Sequence, residues 1–146
     1  MSGTERIEQL ARIMDLPGFP KSAGMRIVSA EPGKVTMALK KKPELTQFFG
    51  HFHGGVITAL ADHAAGACAT TSMPEGKLAV TVEIKVNFLA PADGDEIVAR
   101  AETIQAGSTL AVVKIEVASQ KAGAERVCAF GTATMRVMDL PAGMIS

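Results

Sequence analysis

The chain has 146 residues, the size of one compact domain, and 47% of them are hydrophobic, enough to build a real core. The 15 basic side chains balance 15 acidic ones, which argues against a basic face for nucleic acid or an electrostatic hold on a membrane. Trp and Tyr are absent, so aromatic platforms for stacking bases or sugars are scarce.

Residues 4–16 carry Ile7, Leu10, Ala11, Ile13 and Met14 at helical spacing, with Ser2 or Thr4 available as a cap. Pro17-Gly18-Phe19-Pro20 ends that helix. The stretch is polar and amphipathic and lacks the apolar run and cleavage site of a signal peptide. No later segment has the unbroken apolar length of a spanning helix. The expected location is cytoplasmic, with no membrane and no nucleic-acid partner.

Residues 25–30 and 34–39 read as a hairpin, turned by Glu31-Pro32-Gly33. Lys40 to Pro43 is a solvated loop and residues 44–50 are irregular. His53-Gly54-Gly55 opens a helix that runs to about Ser72. It is rich in Ala and apolar almost all round, which marks a buried helix. Met73-Pro74-Glu75-Gly76 terminates it.

Strands fill the rest. Val80, Val82, Ile84, Val86 and Phe88 alternate with Thr81, Glu83, Lys85 and Asn87, predicting one apolar and one polar face. Strands over 96–104, 110–119 and 127–138 follow, separated by short turns; the tail after Leu140 is loose. Consecutive strands on short turns are expected to pair antiparallel. The expected fold is α+β: a single domain over residues 1–146, with an N-terminal helix over about 4–16. Its core, over about 24–138, is an antiparallel sheet curled around one long buried helix.

The densest polar cluster is Gln47 to Gly55, followed by Asp62-His63. Two glycines at a helix start leave first-turn N–H groups bare, with partial positive charge. Such a terminus can polarise a carbonyl; close packing of helix on sheet also demands glycine, and the pattern does not separate the two. Asp62 lies mid-helix, where an unpaired buried carboxylate is expensive. It is kept for function, or it shares a solvent stripe with Thr58. Asp62 follows Gly55 by seven residues, about 10 Å along the axis. One carbonyl group does not span that gap within one chain, so a shared site implies a second subunit.

His51, His53 and His63 with Asp62 invite a metal reading. Only His51 and His53 have ligand-like spacing, and His63 points about 100° from Asp62 around the helix. No metal and no cofactor is expected. Cys68 and Cys128, without a CxxC, read as small buried hydrophobes, and there is no Gly-x-Ser-x-Gly elbow.

Gly50-x-x-His53-Gly54-Gly55 with Leu60-Ala61-Asp62 resembles the PaaI-like branch of hotdog-fold acyl-CoA thioesterases. The run from Thr81 through Phe88 to Gly94 resembles that family's strand and following turn. The likeness covers about residues 45–137. It implies hydrolysis of an acyl-CoA thioester to a carboxylic acid and CoA. Asp62 would be nucleophile or general base, and the Gly54 N–H would polarise the carbonyl. Gln47 would place water or thioester, His53 would position, and Thr81 would stand by Asp62. Gly55, His63 and Asn87 are further candidates for substrate contact. The resemblance also implies a homodimer or dimer of dimers, with Asp62 and Thr81 facing Gln47 and Gly54 of the neighbouring subunit. The acyl pocket would draw on the central helix, the first helix and the partner chain. Gln47 stands where some relatives have Asn, His51 lies outside the pattern, and Ser108 follows Gly107 where some carry a basic residue. Two rival readings remain. One is a hotdog hydratase or dehydratase, of which His51-Phe52 gives a faint echo. The other is a non-catalytic acyl-CoA-binding module.

Overall fold

The structure is a computed structural model and describes residues 2–144. Helix α1 spans Gly3–Met14. Ser2 caps it reciprocally: its Oγ accepts from the Glu5 N–H at 3.2 Å, and the Glu5 carboxylate accepts from the Ser2 N–H at 2.6 Å. The chain does not run straight into the sheet after Pro17. Gly18 lets it re-enter a short helix, α2, over Phe19–Ala23, with Pro20 in its first turn and Gly24 closing it at φ 94°. The Pro-Gly-Phe-Pro run thus ends one helix and starts another, a turn the sequence reading treats only as a stop.

Strands β1 (Arg26–Glu31) and β2 (Lys34–Lys40) form the expected hairpin. A 3-10 turn over Pro43–Leu45 precedes the long helix α3, Gly54–Thr71. Strands β3 (Lys77–Phe88), β4 (Glu96–Ala106), β5 (Leu110–Lys121) and β6 (Ala124–Asp139) complete one antiparallel sheet in the order β1-β2-β4-β5-β6-β3. The sheet curls around α3, as the expected architecture has it.

One expectation about pairing fails. β3 and β4 follow one another on a short connection yet are not neighbours: β4 pairs with β2 and β5, and β3 pairs with β6 at the far edge. The linking residues 89–95 cross the end of the β5–β6 hairpin. The Leu89 N–H donates to the Cys128 carbonyl and the Asp95 N–H to the Gln120 carbonyl, both at 2.8 Å. Seven extended residues reach roughly 23 Å, more than the three strand spacings of about 4.8 Å that they traverse. Gly94 makes the crossing possible: a Cβ there would lie 2.1 Å from the Gln120 carbonyl oxygen.

The core lies between sheet and α3. Met37, Leu39, Leu60, Ile97, Ile115 and Met135 are fully buried, each worth ~1.5–3 kcal/mol of burial. Ala61, Ala64, Ala65 and Cys68 cover the sheet side of α3 with little bulk, so the strands approach closely. Burial raises the pKa of both thiols, Cys68 and Cys128, which remain unpaired core residues. Among the described residues no helix is long and apolar enough to cross a membrane.

Candidate active site

The start of α3 is built by His53. Its backbone is extended (φ −64°, ψ 140°), and its Nδ1 accepts from the Gly55 N–H at 2.8 Å. An accepting Nδ1 leaves the ring proton on Nε2. The His53 carbonyl takes the N–H groups of Val56 and Ile57. The first turn is therefore mostly satisfied from within. Among the described residues nothing accepts from the Gly54 N–H, so Gly54 rather than Gly55 presents the open donor.

Both glycines have packing reasons as well. A Cβ at position 55 would stand 3.0 Å from His53 Nδ1, and one at position 54 would stand 3.3 Å from the Phe88 ring. The two explanations left open by the sequence, bare amide and tight packing, hold together. Gly54 opens on a cleft of about 540 Å³ that Gln47, His51, Phe52, Ile57 and Phe88 also line.

Gln47 belongs to a tight loop. Its N–H bonds the His51 carbonyl and its carbonyl takes the Gly50 N–H, both at 2.9 Å, with Gly50 at φ 81°. Its side-chain Oε1 accepts from the Phe49 N–H at 2.6 Å and the His51 N–H at 3.4 Å. Two donors on one atom fix the amide orientation. The Nε2 group, a pure donor, remains for a ligand. At the loop tip the Phe48 and Phe49 rings touch at a 46° tilt, 89% and 72% exposed.

Asp62 sits two turns into α3, half-buried. Thr81 Oγ1 donates to Asp62 Oδ1 at 2.6 Å. This contact depends on a bulge in β3. Thr81 pairs with Met135 and Glu83 with Thr134, so Val82 is the extra residue. The bulge breaks the alternation that the sequence suggested. Ile84 and Val86 face inward as expected, but before the bulge Ala79 and Thr81 take the inward positions. Val80 and Val82 turn out to solvent at 48% and 60% exposure.

Asp62 and Thr81 line a second cavity, about 200 Å³, walled by Leu10, Ile13 and Met14 of α1 and by Gly66 and Ala67 of α3. His63 lines it too. Burial lowers the pKa of His63, and the neighbouring Asp62 opposes that shift without cancelling it. Its imidazole is neutral at pH 7.

The two cavities share no lining residue. Within one chain, Asp62, Thr81 and His63 line one cavity, and Gly54, Gln47 and His51 line the other. Asn87 joins neither: it is exposed on the outer side of β3, paired with Phe130. Thr58, one turn before Asp62 and like it partly exposed, bonds its hydroxyl back to the Gly54 carbonyl at 2.9 Å. Among the described residues no three His, Cys, Asp or Glu side chains gather as a metal site.

One functional neighbour escapes sequence reading. Arg6 on α1 is buried, 7% exposed, and donates to Gln9 Oε1 at 2.5 Å, to the Thr70 carbonyl at 3.3 Å and to the Lys77 carbonyl. It pins α1 against the end of α3 and the start of β3, and so holds one wall of the Asp62 cavity. Its sequence position, on an amphipathic helix, gives no sign of burial.

The model of the thioesterase superfamily matches residues 49–125, over half the chain, spanning the Gly54 terminus and Asp62. The chain belongs to the thioesterase superfamily. Among relatives, this thioesterase is 34% identical over 103 residues to 1,4-dihydroxy-2-naphthoyl-CoA hydrolase of Listeria monocytogenes, covering 70% of the chain and 84% of that protein. It is 32% identical over 98 residues to acyl-coenzyme A thioesterase 13 of Homo sapiens, covering 66% and 69%. Among solved structures, a thioesterase family protein from Silicibacter pomeroyi superposes with a TM-score of 0.86 at 32% identity, covering 94% of this chain and 99% of that one. The PaaI protein of E. coli, 23% identical, shares the fold at a TM-score of 0.82, covering 94% and 96%. The protein is a hotdog-fold thioesterase, a thioester hydrolase.

Proposed function

We propose that this thioesterase hydrolyses acyl-CoA thioesters in a site shared by two copies of the chain. Asp62 of one copy faces Gly54 and Gln47 of the other. The observation that carries this reading is the Asp62–Thr81 pair at 2.6 Å, lining an apolar cavity. The names of the relatives, a CoA-thioester hydrolase and an acyl-coenzyme A thioesterase, agree with that substrate.

The shared site is supported by what one chain leaves unfinished. β3 is a sheet edge of 12 residues; at its start the Lys77 carbonyl is taken by Arg6 and the Ala79 N–H by the Thr70 hydroxyl, and beyond that no further strand of the described chain covers it. Val80, Val82, Phe88 and Leu89 lie exposed along and just beyond it, and Phe48 and Phe49 project nearby in sequence to Gly54. A long apolar edge of this kind invites a second strand. Pairing β3 with its copy across a twofold axis brings each half-site toward the complementary half.

Chemistry follows from the parts. The thioester carbonyl oxygen accepts the Gly54 N–H, where the helix terminus stabilises the charge that builds on it. Asp62 then takes a proton from a water molecule as that water attacks the carbonyl carbon. The C–S bond breaks, the acid forms, and the CoA thiolate leaves with a proton. In the alternative route Asp62 attacks directly, and water opens the resulting anhydride. Thr81 fixes the carboxylate rotamer in either case, and Gln47 Nε2 donates to the water or the thioester.

The test is thiol release from acyl-CoA by the purified protein and by Asp62→Asn. A loss of about 10³-fold or more in turnover is expected; near-normal turnover in Asp62→Asn would refute the assignment. A single turnover in heavy-oxygen water separates the routes: label appears in Asp62 only if it is the nucleophile. An enoyl thioester run in parallel reports on hydration, the rival chemistry.

A further inference from the structure

Gly66 follows Asp62 by one helical turn, on the same face of α3. It lines the Asp62 cavity, and a Cβ built on it meets nothing within 4 Å. Gly66 is partly exposed, and every buried position of α3 is alanine or larger. Glycine is the poorest helix former apart from proline, and among the described residues no atom stands close enough to require it at this position. The missing side chain leaves open space beside the cavity that Gly66 lines.

The cavity also has a definite character. Its apolar wall comes from Leu10, Ile13, Met14 and Ala67. The Thr70 hydroxyl is spent on the Gly66 carbonyl at 2.8 Å and the Ala79 N–H at 3.0 Å. The Thr81 hydroxyl is spent on Asp62. No Lys or Arg lines it. Its volume, about 200 Å³, exceeds the ~150 Å³ that holds a benzene ring and equals roughly six or seven groups of water size at ~30 Å³ each.

We propose that Gly66 is the specificity-determining residue of the acyl pocket. It admits an uncharged acyl group of about the size of an aryl ring or a medium-length chain, closed over by Met14 and Ile13 of α1. This rests on the hydrolase reading above, with Asp62 at the scissile carbonyl. The acyl group runs from Asp62 along α3 past Gly66, while CoA lies outside the cavity, which is too small for it. An acyl group ending in a carboxylate meets no cation and is disfavoured next to Asp62.

The experiment measures kcat/KM for acetyl-, octanoyl-, phenylacetyl- and succinyl-CoA by thiol release. The chains compared are the full-length protein, Gly66→Ala, Gly66→Val and Met14→Ala. The octanoyl-to-acetyl ratio is expected to fall at least about tenfold in Gly66→Val and less in Gly66→Ala, since a methylene in such a pocket is worth about 10–200-fold. Met14→Ala is expected to raise the ratio for longer chains, and succinyl-CoA to be the poorest substrate of the wild type. Gly66→Ala fits the open space without a clash, so it decides the matter alone if Gly66→Val does not fold. A ratio that stays within about twofold of wild type in the folded Gly66 variants overturns the proposal, as does succinyl-CoA outrunning octanoyl-CoA. Absence of thiol release from every acyl-CoA in the wild type instead removes the hydrolase reading, and this inference with it.

Discussion

The Thr81 hydroxyl donates to Oδ1 of Asp62 at 2.6 Å, tying a residue of the edge strand β3 to the middle of the buried helix. A carboxylate accepts such a bond in charge-assisted form, stronger than a neutral pair. The bond holds one Asp62 oxygen still and, in the proposed mechanism, leaves Oδ2 for the reaction. Replacing Thr81 by Val keeps the shape and removes the donor. A charged-acceptor bond is worth about 1.5–3 kcal/mol, so turnover should fall about 10–100-fold. Thr81→Ser, which restores the hydroxyl, should recover most of it. Steady-state kinetics of both variants check this: equal losses in Val and Ser would mean the hydroxyl does not orient Asp62.

His63 gives the enzyme an acid limit to its stability. Burial holds its folded pKa below the ordinary 6.5. Above 6.5 the imidazole is neutral in both folded and unfolded chains, and His63 costs nothing. Between 6.5 and the lower folded value the unfolded chain binds the proton more readily, so stability falls as pH falls. Below the folded value the loss is complete. His63→Gln should therefore lose less thermal stability than wild type between pH 7.5 and 5. Melting curves at both pH values measure it. Parallel declines in the two proteins would assign the acid sensitivity to other groups.

Much of the fold was legible because its signals are local. The apolar run after Gly54-Gly55 predicts α3 to within a residue at its end, and the turns at Pro32-Gly33 and Gly107-Ser108 mark real hairpins. What was hidden is non-local. The alternation from Val80 to Phe88 looks like one continuous face, and nothing in those residues shows that Val82 bulges; the bulge follows from register against β6. The partner of β3 could not be read either, because a seven-residue link looks like a hairpin unless Gln120 and Cys128 are known to lie beneath it. In the site, Asp62 and the Gly-Gly pair stood out by residue type. That His53 spends its ring on Gly55, leaving Gly54 as the open donor, is a matter of rotamer and invisible in the sequence.

Arg6 should act as the anchor of α1. Its guanidinium satisfies the Thr70 and Lys77 carbonyls at the point where α3 ends and β3 begins. Burial lowers its pKa, the neighbouring Glu75 opposing, which is the mark of a charge taken out of water and held by its partners. Arg6→Ala leaves those carbonyls and Gln9 without their donor, at about 1–3 kcal/mol for each group that water does not reach. We expect a lowered melting temperature and early proteolytic cleavage within residues 2–16, with α3 itself intact. Since α1 walls the Asp62 cavity, KM should rise more than kcat falls. Unchanged proteolysis would mean that Leu10 and its neighbours hold α1 without the guanidinium.

The proposed division of the site between two chains leads to a decisive mixing experiment. Gly54 is the first residue of α3, a position proline favours, and His53 already has the extended backbone that a following proline requires. Gly54→Pro therefore deletes one N–H with little cost to the helix, provided the Phe88 ring yields a few tenths of an ångström. Losing an oxyanion donor costs about 10²–10³-fold in kcat. Gly54→Ala, equally crowded but with its N–H intact, should lose far less. Take Gly54→Pro and Asp62→Asn, each nearly inactive, and co-express them. In a mixed dimer the first chain supplies Asp62 and the second supplies the Gly54 N–H, so one of its two sites is wild type in every residue. Random mixing puts half of the dimers in that state, each with one good site of two, so about a quarter of wild-type turnover should return. A site contained within one chain gains nothing from mixing, because neither chain carries both groups. Restored activity in the co-purified hybrid, against none in either parent, is the outcome that places Asp62 and Gly54 on opposite sides of one reacting carbonyl.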